Sequence, residues 1–256
     1  MAEVRALVLR APGTNCDEET AAAWTRAGAV AETLRLTQII DDPRLLDRFQ
    51  VVTFPGGFSY GDDLGAGRIF ASRIGTELSD GLRRFHERGG LLLGICNGFQ
   101  VLMKAGLLPG GPGDPPSSLT NNLSARFEAR WIRLLPTAGL SPFLVDDEPI
   151  TLPVAHGEGR FVTSDPAALD RWIASGRVVL RYIDSENRPT EEFPANPNGS
   201  MAGVAGFCDP TGRIFGLMPH PERHIERHHH PRWTRGEGKP EGDGLRIFRN
   251  AVAALR

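Results

Sequence analysis

The residues best placed to do chemistry lie in Gly90-Leu91-Leu92-Leu93-Gly94-Ile95-Cys96-Asn97-Gly98-Phe99-Gln100. An apolar run ends in Gly-x-Cys-x-Gly, and a helical pattern follows. The spacing predicts a strand, a sharp turn and a helix, with a thiol at the apex. This is the geometry of the nucleophile elbow of Gly-x-Ser-x-Gly hydrolases, with sulfur in place of oxygen. The flanking glycines leave room for a strained backbone and for close strand–helix packing. The helix N-terminus behind Cys96 favours thiolate over thiol.

A cysteine nucleophile needs a base, and the base needs an orienter. Met218-Pro219-His220-Pro221-Glu222-Arg223 offers both. The apolar run Ile214–Met218 predicts a strand, and two prolines hold the chain extended around His220. In an extended segment residues i and i+2 share a side, which brings Glu222 to the ring of His220. His220 can then take the proton of Cys96 and return one to a leaving group, while Glu222 fixes its tautomer. A third piece is Phe54-Pro55-Gly56-Gly57-Phe58-Ser59-Tyr60-Gly61-Asp62. Two glycines just past a strand expose backbone N–H groups. With the Asn97 N–H they can form an oxyanion hole.

Other candidates rank lower. Cys16 sits near a helix start, but it lacks an elbow and adjacent acids oppose a thiolate, so a structural role is expected. Cys208 lies in an apolar strand and reads as core. His228-His229-His230 reads as a solvated loop, since consecutive residues rarely close a coordination sphere. Gly65-Ala66-Gly67-Arg68 lacks the Lys-Ser/Thr of a phosphate loop. His156-Gly157-Glu158-Gly159-Arg160 follows a strand and reads as a loop facing a substrate or a partner.

The elements that must position these groups follow from periodicity. Short apolar runs alternate with helical patterns over the first ~105 residues, which predicts a parallel sheet with helices on its faces. Strands are expected at Val4–Leu9, Ala31–Leu36, Val51–Phe54 and Leu91–Ile95. Helices are expected at Asp17–Ala27, opened by Asn15 or Asp17, and over Ile69–Arg88 as one long amphipathic element. Leu45–Phe49 reads as a helical turn. Leu108–Ser118, rich in Pro and Gly, reads as a loop between two halves of one domain spanning 1–256. Strand-like pieces follow at Ala125–Leu134, Ile150–Ala155, Val178–Ile183, Met201–Cys208 and Ile214–Met218. Several alternate in polarity, which predicts a small antiparallel section. His228–Gly244 reads as a surface excursion and Leu245–Leu255 as a closing amphipathic helix.

Composition excludes several function classes. A net charge of −2 over 256 residues gives no reason to expect nucleic acid or an anionic membrane surface as partner. No apolar run approaches the ~20 residues needed to span a bilayer. Met1–Arg10 shows no signal-peptide pattern. Three scattered cysteines fit a reducing compartment rather than a disulfide framework, so a cytoplasmic protein is expected.

Taken together, the Pro-Gly-Gly turn, the Gly-Ile-Cys-Asn-Gly-Phe-Gln elbow and the late Pro-His-Pro-Glu resemble the class I (triad) glutamine amidotransferases. Within that family, further strings look like one branch: Pro12-Gly13-Thr14-Asn15-Cys16-Asp17, His156-Gly157-Glu158-Gly159-Arg160-Phe161 and Asn196-Pro197-Asn198-Gly199-Ser200. The resemblance implies an α/β fold with a mixed, mostly parallel sheet flanked by helices, a flavodoxin-like three-layer arrangement. It implies Cys96 as nucleophile, His220 as base and acid, Glu222 as orienter, and the backbone of Gly57 and Asn97 as oxyanion donors. Gly56, Phe58, Gln100 and Gly157 would line the glutamine site. The implied reaction is hydrolysis of L-glutamine through a cysteine thioester. Its ammonia would pass to a large ATP-dependent synthetase subunit of de novo purine biosynthesis, with or without a small accessory subunit. ATP and Mg belong to that partner, since this chain has no Walker-type loop, and no cofactor or metal is expected here. Alternatives are a stand-alone cysteine hydrolase of the same fold (gamma-glutamyl hydrolase or peptidase-like), an amidotransferase subunit of another synthase, or a non-catalytic scaffold.

Overall fold

The computed structural model describes residues 3–111 and 113–256. The readings of the extreme N-terminus and of part of the Leu108–Ser118 loop fall on residues 1, 2 and 112, outside the described residues. β1 (Arg5–Arg10), α1 (Asp17–Arg26), β2 (Val30–Arg35), α2 (Leu36–Asp41) and β3 (Val51–Phe54) open the chain. α3 (Arg68–Arg73), α4 (Ser79–Glu87), β4 (Leu91–Ile95) and α5 (Asn97–Lys104) follow. Next come β5 (Ser117–Thr120), β6 (Glu128–Pro136), β7 (Ile150–His156), β8 (Arg160–Thr163) and α6 (Pro166–Ala174). β9 (Leu180–Tyr182), β10 (Val204–Cys208), β11 (Ile214–Leu217) and α7 (Leu245–Ala254) complete it.

Nine strands form one sheet in the order β2-β1-β3-β4-β11-β10-β9-β6-β7. The five from β2 to β11 pair parallel, and β10, β9, β6 and β7 extend the sheet antiparallel. The expected mixed, mostly parallel sheet is what is found. Every residue of β3, β4, β10 and β11 is buried, as a sheet covered on both faces requires. β5 and β8 make a separate antiparallel ribbon. Trp24 of α1 meets Phe248 of α7 edge-to-face, with ring centroids 5.0 Å apart. Its indole N–H donates to Thr53 Oγ1 of β3 at 2.9 Å, which satisfies the one hydroxyl in that strand.

Three expectations are corrected. The single helix over Ile69–Arg88 is two helices joined by a π-turn over Ile74–Leu78. The apolar spacing carries on through the wider turn, so periodicity alone does not reveal the break. The strand expected to reach Leu36 ends at Arg35, and α2 begins at Leu36. α1 is preceded by Cys16 rather than capped by Asn15 or Asp17, and no side chain caps it. α2, β5, β8 and α6 have no counterpart in the periodicity, and β5 takes up Ser117 and Ser118 at the end of the expected Leu108–Ser118 loop.

Strand β4 feeds α5 through the elbow, and the fit there is tight. A Cβ on Gly98 would lie 1.8 Å from the Phe54 carbonyl oxygen, and one on Gly94 would lie 2.7 Å from the Gly98 carbonyl oxygen. The absence of side chains lets α5 press against β3 and β4. Gly98→Ala should therefore push α5 off β3 and cost about 1–3 kcal/mol of stability. That lowers Tm by roughly 2–4 °C per kcal/mol in thermal melts; an unchanged Tm would contradict this packing account.

Candidate active site

Sheet register brings the candidate residues together. β4 and β11 are parallel neighbours, with Ile95 opposite Leu217. Their C-terminal ends therefore deliver Cys96 and His220 side by side, where sites collect in such sheets. The Cys96 N–H donates to the Leu217 carbonyl at 2.8 Å and ties the elbow to the strand leading to His220.

Cys96 has φ +50° and ψ −103°, a conformation that L-residues rarely adopt. Such strain persists only where the surroundings over-determine it, and it places Sγ at the apex of the turn. The Sγ lies 3.7 Å from the Ala155 carbonyl. α5 starts at the next residue, so its first N–H groups point back at the elbow.

His220 and Glu222 are both buried, and Nδ1 lies 2.6 Å from Glu222 Oε1. Pro221–Arg223 forms a 3-10 turn, so that turn rather than strand alternation brings the carboxylate to the ring. With Nδ1 engaged, Nε2 is the edge left for proton transfer, and it has no hydrogen-bond partner among the described residues. Burial works against a charged imidazole here. The Glu222 carboxylate and the Cys96 thiolate outweigh it and hold the His220 pKa well above its ordinary value.

The last strand of the sheet closes over this pair. Strand β7 is an edge strand, and its alternate carbonyls turn to the site. Thr151 O accepts from His224 Nδ1 at 2.7 Å, and Pro153 O accepts from the His220 N–H at 2.9 Å. Ala155 O is the one facing Cys96. The free edge of the sheet is thus used to hold the segment carrying the base. His156, at the end of β7, is buried; its Nδ1 is 3.1 Å from Asn122 Oδ1. Burial first, and the charge of His220 second, push its pKa down to about 3, so this ring is neutral beside the charged one.

The Pro55-Gly56-Gly57 turn lies against the same ring. A Cβ on Gly56 would sit 2.8 Å from His220 Cε1 and 3.1 Å from Cys16 Sγ. Gly57 has φ +136° and bridges Thr14 in antiparallel fashion. The Phe58 N–H makes that bridge's bond to the Gly13 carbonyl at 3.0 Å. Phe58, next in the chain, is exposed, at 49%. Gly157 follows β7, with nothing closer than 3.9 Å to where a side chain would begin.

Gln100 lies on α5, four residues after Cys96. It is buried, its Oε1 accepts from Asn97 Nδ2 at 3.0 Å, and its Nε2 donates to the Glu158 backbone carbonyl. Both ends of its amide are engaged within the protein, where they join the elbow helix to the 156–159 loop.

Cys16, read as structural, also belongs to this cluster. Its Sγ accepts from Arg223 Nη2 at 3.1 Å, and burial raises its pKa. Sγ, His220 and Glu222 offer ligand-type atoms within 4.8 Å of one another. Arg223 Nη2 also donates to the sulfur and Glu222 Oε1 lies at His220 Nδ1, so hydrogen bonds join these groups. The strings around Cys16 and Arg223 are separated by 207 positions, and neither carries a periodic signal that pairs them.

Comparison with known proteins places the whole chain. The family model of the CobB/CobQ-like glutamine amidotransferase domain matches residues 3–253. The phosphoribosylformylglycinamidine synthase subunit PurQ of Dehalococcoides mccartyi is 46% identical, covering 100% of this chain and 99% of that protein. Its namesake from Methanococcus maripaludis is 40% identical over 97% of this chain and 96% of that protein. Among solved structures, PurLQS from Thermotoga maritima superposes with a TM-score of 0.76 at 33% identity, covering 100% of both chains. The chain belongs to the family of CobB/CobQ-like glutamine amidotransferase domains.

Proposed function

We propose that this chain is the glutaminase subunit of a phosphoribosylformylglycinamidine synthase. The observation that carries the chemistry is the buried His220–Glu222 pair at the mouth of the Cys96 elbow. The full-length similarity to PurQ subunits supports the biosynthetic setting.

The mechanism follows from those groups. His220 holds the Cys96 proton at Nε2, and the resulting thiolate attacks the side-chain amide carbon of glutamine. The oxyanion that forms is met by the N–H groups of Gly57 and Asn97. Preorganised donors of this kind act only as charge develops. Imidazolium His220 protonates the departing amine, ammonia leaves, and a γ-glutamyl thioester remains on Cys96. Water, deprotonated by His220, then attacks the thioester carbonyl; glutamate departs and the thiol is restored. Glu222 holds Nδ1 throughout, so Nε2 always faces the reaction. The resemblance to glutamine amidotransferases supports Phe58 and Gly157 as residues that line the substrate.

Ammonia protonates in bulk water and loses its nucleophilicity. The product therefore passes to a synthetase subunit, where ATP is used, with a small accessory subunit completing the complex. Among the described residues no helix is long and apolar enough to cross a membrane, and a cytoplasmic setting fits a chain of this kind.

The assembled complex tests this reading. Cys96→Ala should abolish synthesis driven by glutamine while leaving synthesis driven by added ammonia intact. Glutamine-driven synthesis at the wild-type rate in that variant would sink the assignment. A second expectation concerns Glu222→Gln. Loss of the orienting carboxylate should lower glutaminase kcat by ~10²–10⁴-fold, the range for an orienter whose loss admits the wrong tautomer. The same substitution has a pH signature. A His whose pKa is raised on folding contributes stability that is fully present below its unfolded pKa and lost as pH rises through the folded value. The stability gap between wild type and Glu222→Gln, read from denaturant melts, should therefore be wider at about pH 6 than at about pH 10. A gap that widens with pH would contradict the charged pair.

A further inference from the structure

The oxyanion turn and the elbow helix are tied together by side chains that the reaction itself does not use. Asn97 supplies a backbone donor, but its side chain is buried and saturated. Its Oδ1 accepts from the Ser59 hydroxyl at 2.6 Å and from the Ser59 N–H at 3.3 Å. Its Nδ2 donates to Asp62 Oδ1 at 3.1 Å and to Gln100 Oε1 at 3.0 Å. Asp62 Oδ1 also accepts the Gly67 N–H at 3.0 Å, just before α3 begins. Lys104 and Glu158 extend the web: Lys104 Nζ donates to the Ala66 carbonyl, and the Ala66 N–H donates to Glu158 Oε1 at 3.4 Å.

The turn needs this restraint. Tyr60, Gly61 and Asp62 follow one another at φ +55°, +72° and +53°, and two of the three carry side chains. Left to itself, such a run relaxes, and Gly57 lies only three residues upstream of Tyr60. Asp62 is half-buried among these donors, and its burial pushes the carboxyl pKa up against the N–H groups that favour the charged form. Among the described residues, Asp62 makes no hydrogen bond or ion pair with Cys96, His220 or Glu222.

Building on the glutaminase reading, we propose that Asp62 is a positioning residue for the oxyanion hole. By holding Asn97 Nδ2 and the Gly67 N–H together, it locks the turn that carries Gly57 to the helix that carries the Asn97 N–H, and so sets the spacing of the two donors. It acts on the transition state through them, and not on thiol reactivity.

The test uses the assembled complex with Asp62→Ala, Asp62→Asn and Ser59→Ala. In Asp62→Ala, kcat for glutamine should fall about 100-fold, the effect of losing one oxyanion donor, with KM changed far less. Ammonia-driven synthesis should stay at the wild-type rate. Alkylation of Cys96 by iodoacetamide should also keep its wild-type rate, because displacement of iodide by the thiolate develops no oxyanion. Asp62→Asn retains a carbonyl oxygen for the same two N–H groups and should recover most of the loss. Ser59→Ala, which cuts the other anchor of the turn, should shift kcat in the same direction. Wild-type glutamine kcat in Asp62→Ala overturns the proposal. So does a parallel loss of turnover and alkylation in both Asp62 variants, which marks a general collapse of the site. Failure of the glutaminase reading looks different: the wild-type complex then lacks glutamine turnover while still using ammonia, and this inference falls with it.

Discussion

The parallel pairing of β4 with β11 is the constraint on which the site depends. Four consecutive residue pairs, from Ile214–Leu92 to Leu217–Ile95, fix the register. A slip of one residue would turn the ends of both strands to opposite faces. In the observed register, the residue after Ile95 is the nucleophile and the third residue after Leu217 is the base. Because the two strands are neighbours, no long-range loop has to bring thiol and imidazole together. The antiparallel half of the sheet then brings its edge strand, β7, back over the pair. Two of its alternate carbonyls, at Thr151 and Pro153, pin the base segment through the His224 ring and the His220 N–H, and a third, at Ala155, faces Cys96.

Burial gives these groups their chemistry and also limits it. His220 and Glu222 are almost wholly enclosed, where an uncompensated charge is costly. The enclosure is tolerable because the His220 ring meets the Glu222 carboxyl at 2.6 Å, which offsets the cost of charge on the imidazole. His156, nearby but without such partners, is held neutral. Two histidines within one site thus have their pKa values driven in opposite directions. That separation marks which one moves protons. The same logic applies to the backbone. Strain at Cys96 and along Tyr60–Asp62 is confined to the two turns that must present a sulfur and an N–H, and packed glycines or saturated amides hold it there.

How much of this was legible in the sequence depended on the kind of signal. Cys96, His220 and the Gly56-Gly57 turn each end an apolar run, and buried strands are long enough and apolar enough to be read directly. The partnership of His220 with Glu222 was legible from adjacency, although a 3-10 turn achieves it rather than an extended strand. The side-chain work of Asn97 was not legible. Its partners at Ser59 and Asp62 lie 38 and 35 residues away, and hydrogen bonding between loops leaves no periodic trace. The place of Gln100 one turn after the nucleophile was legible, and its bonds to Asn97 and Glu158 were not. The break at Ile74–Leu78 was hidden because a π-turn keeps the apolar residues on one face. Cys16, expected to be structural, is held by Arg223, 207 positions on, a pairing that no local pattern signals.

The central claim is that Cys96 carries the glutamyl group between two half-reactions, with His220 serving both. Mass spectrometry of the complex, quenched in acid during steady-state glutamine turnover, tests this most directly. The account predicts a single glutamyl increment on the peptide containing Cys96, sensitive to hydroxylamine as a thioester is, and absent when Cys96 is replaced by Ala. Steady turnover with no covalent intermediate under conditions that trap thioesters, or an increment on Cys16 or Cys208 instead, would contradict it.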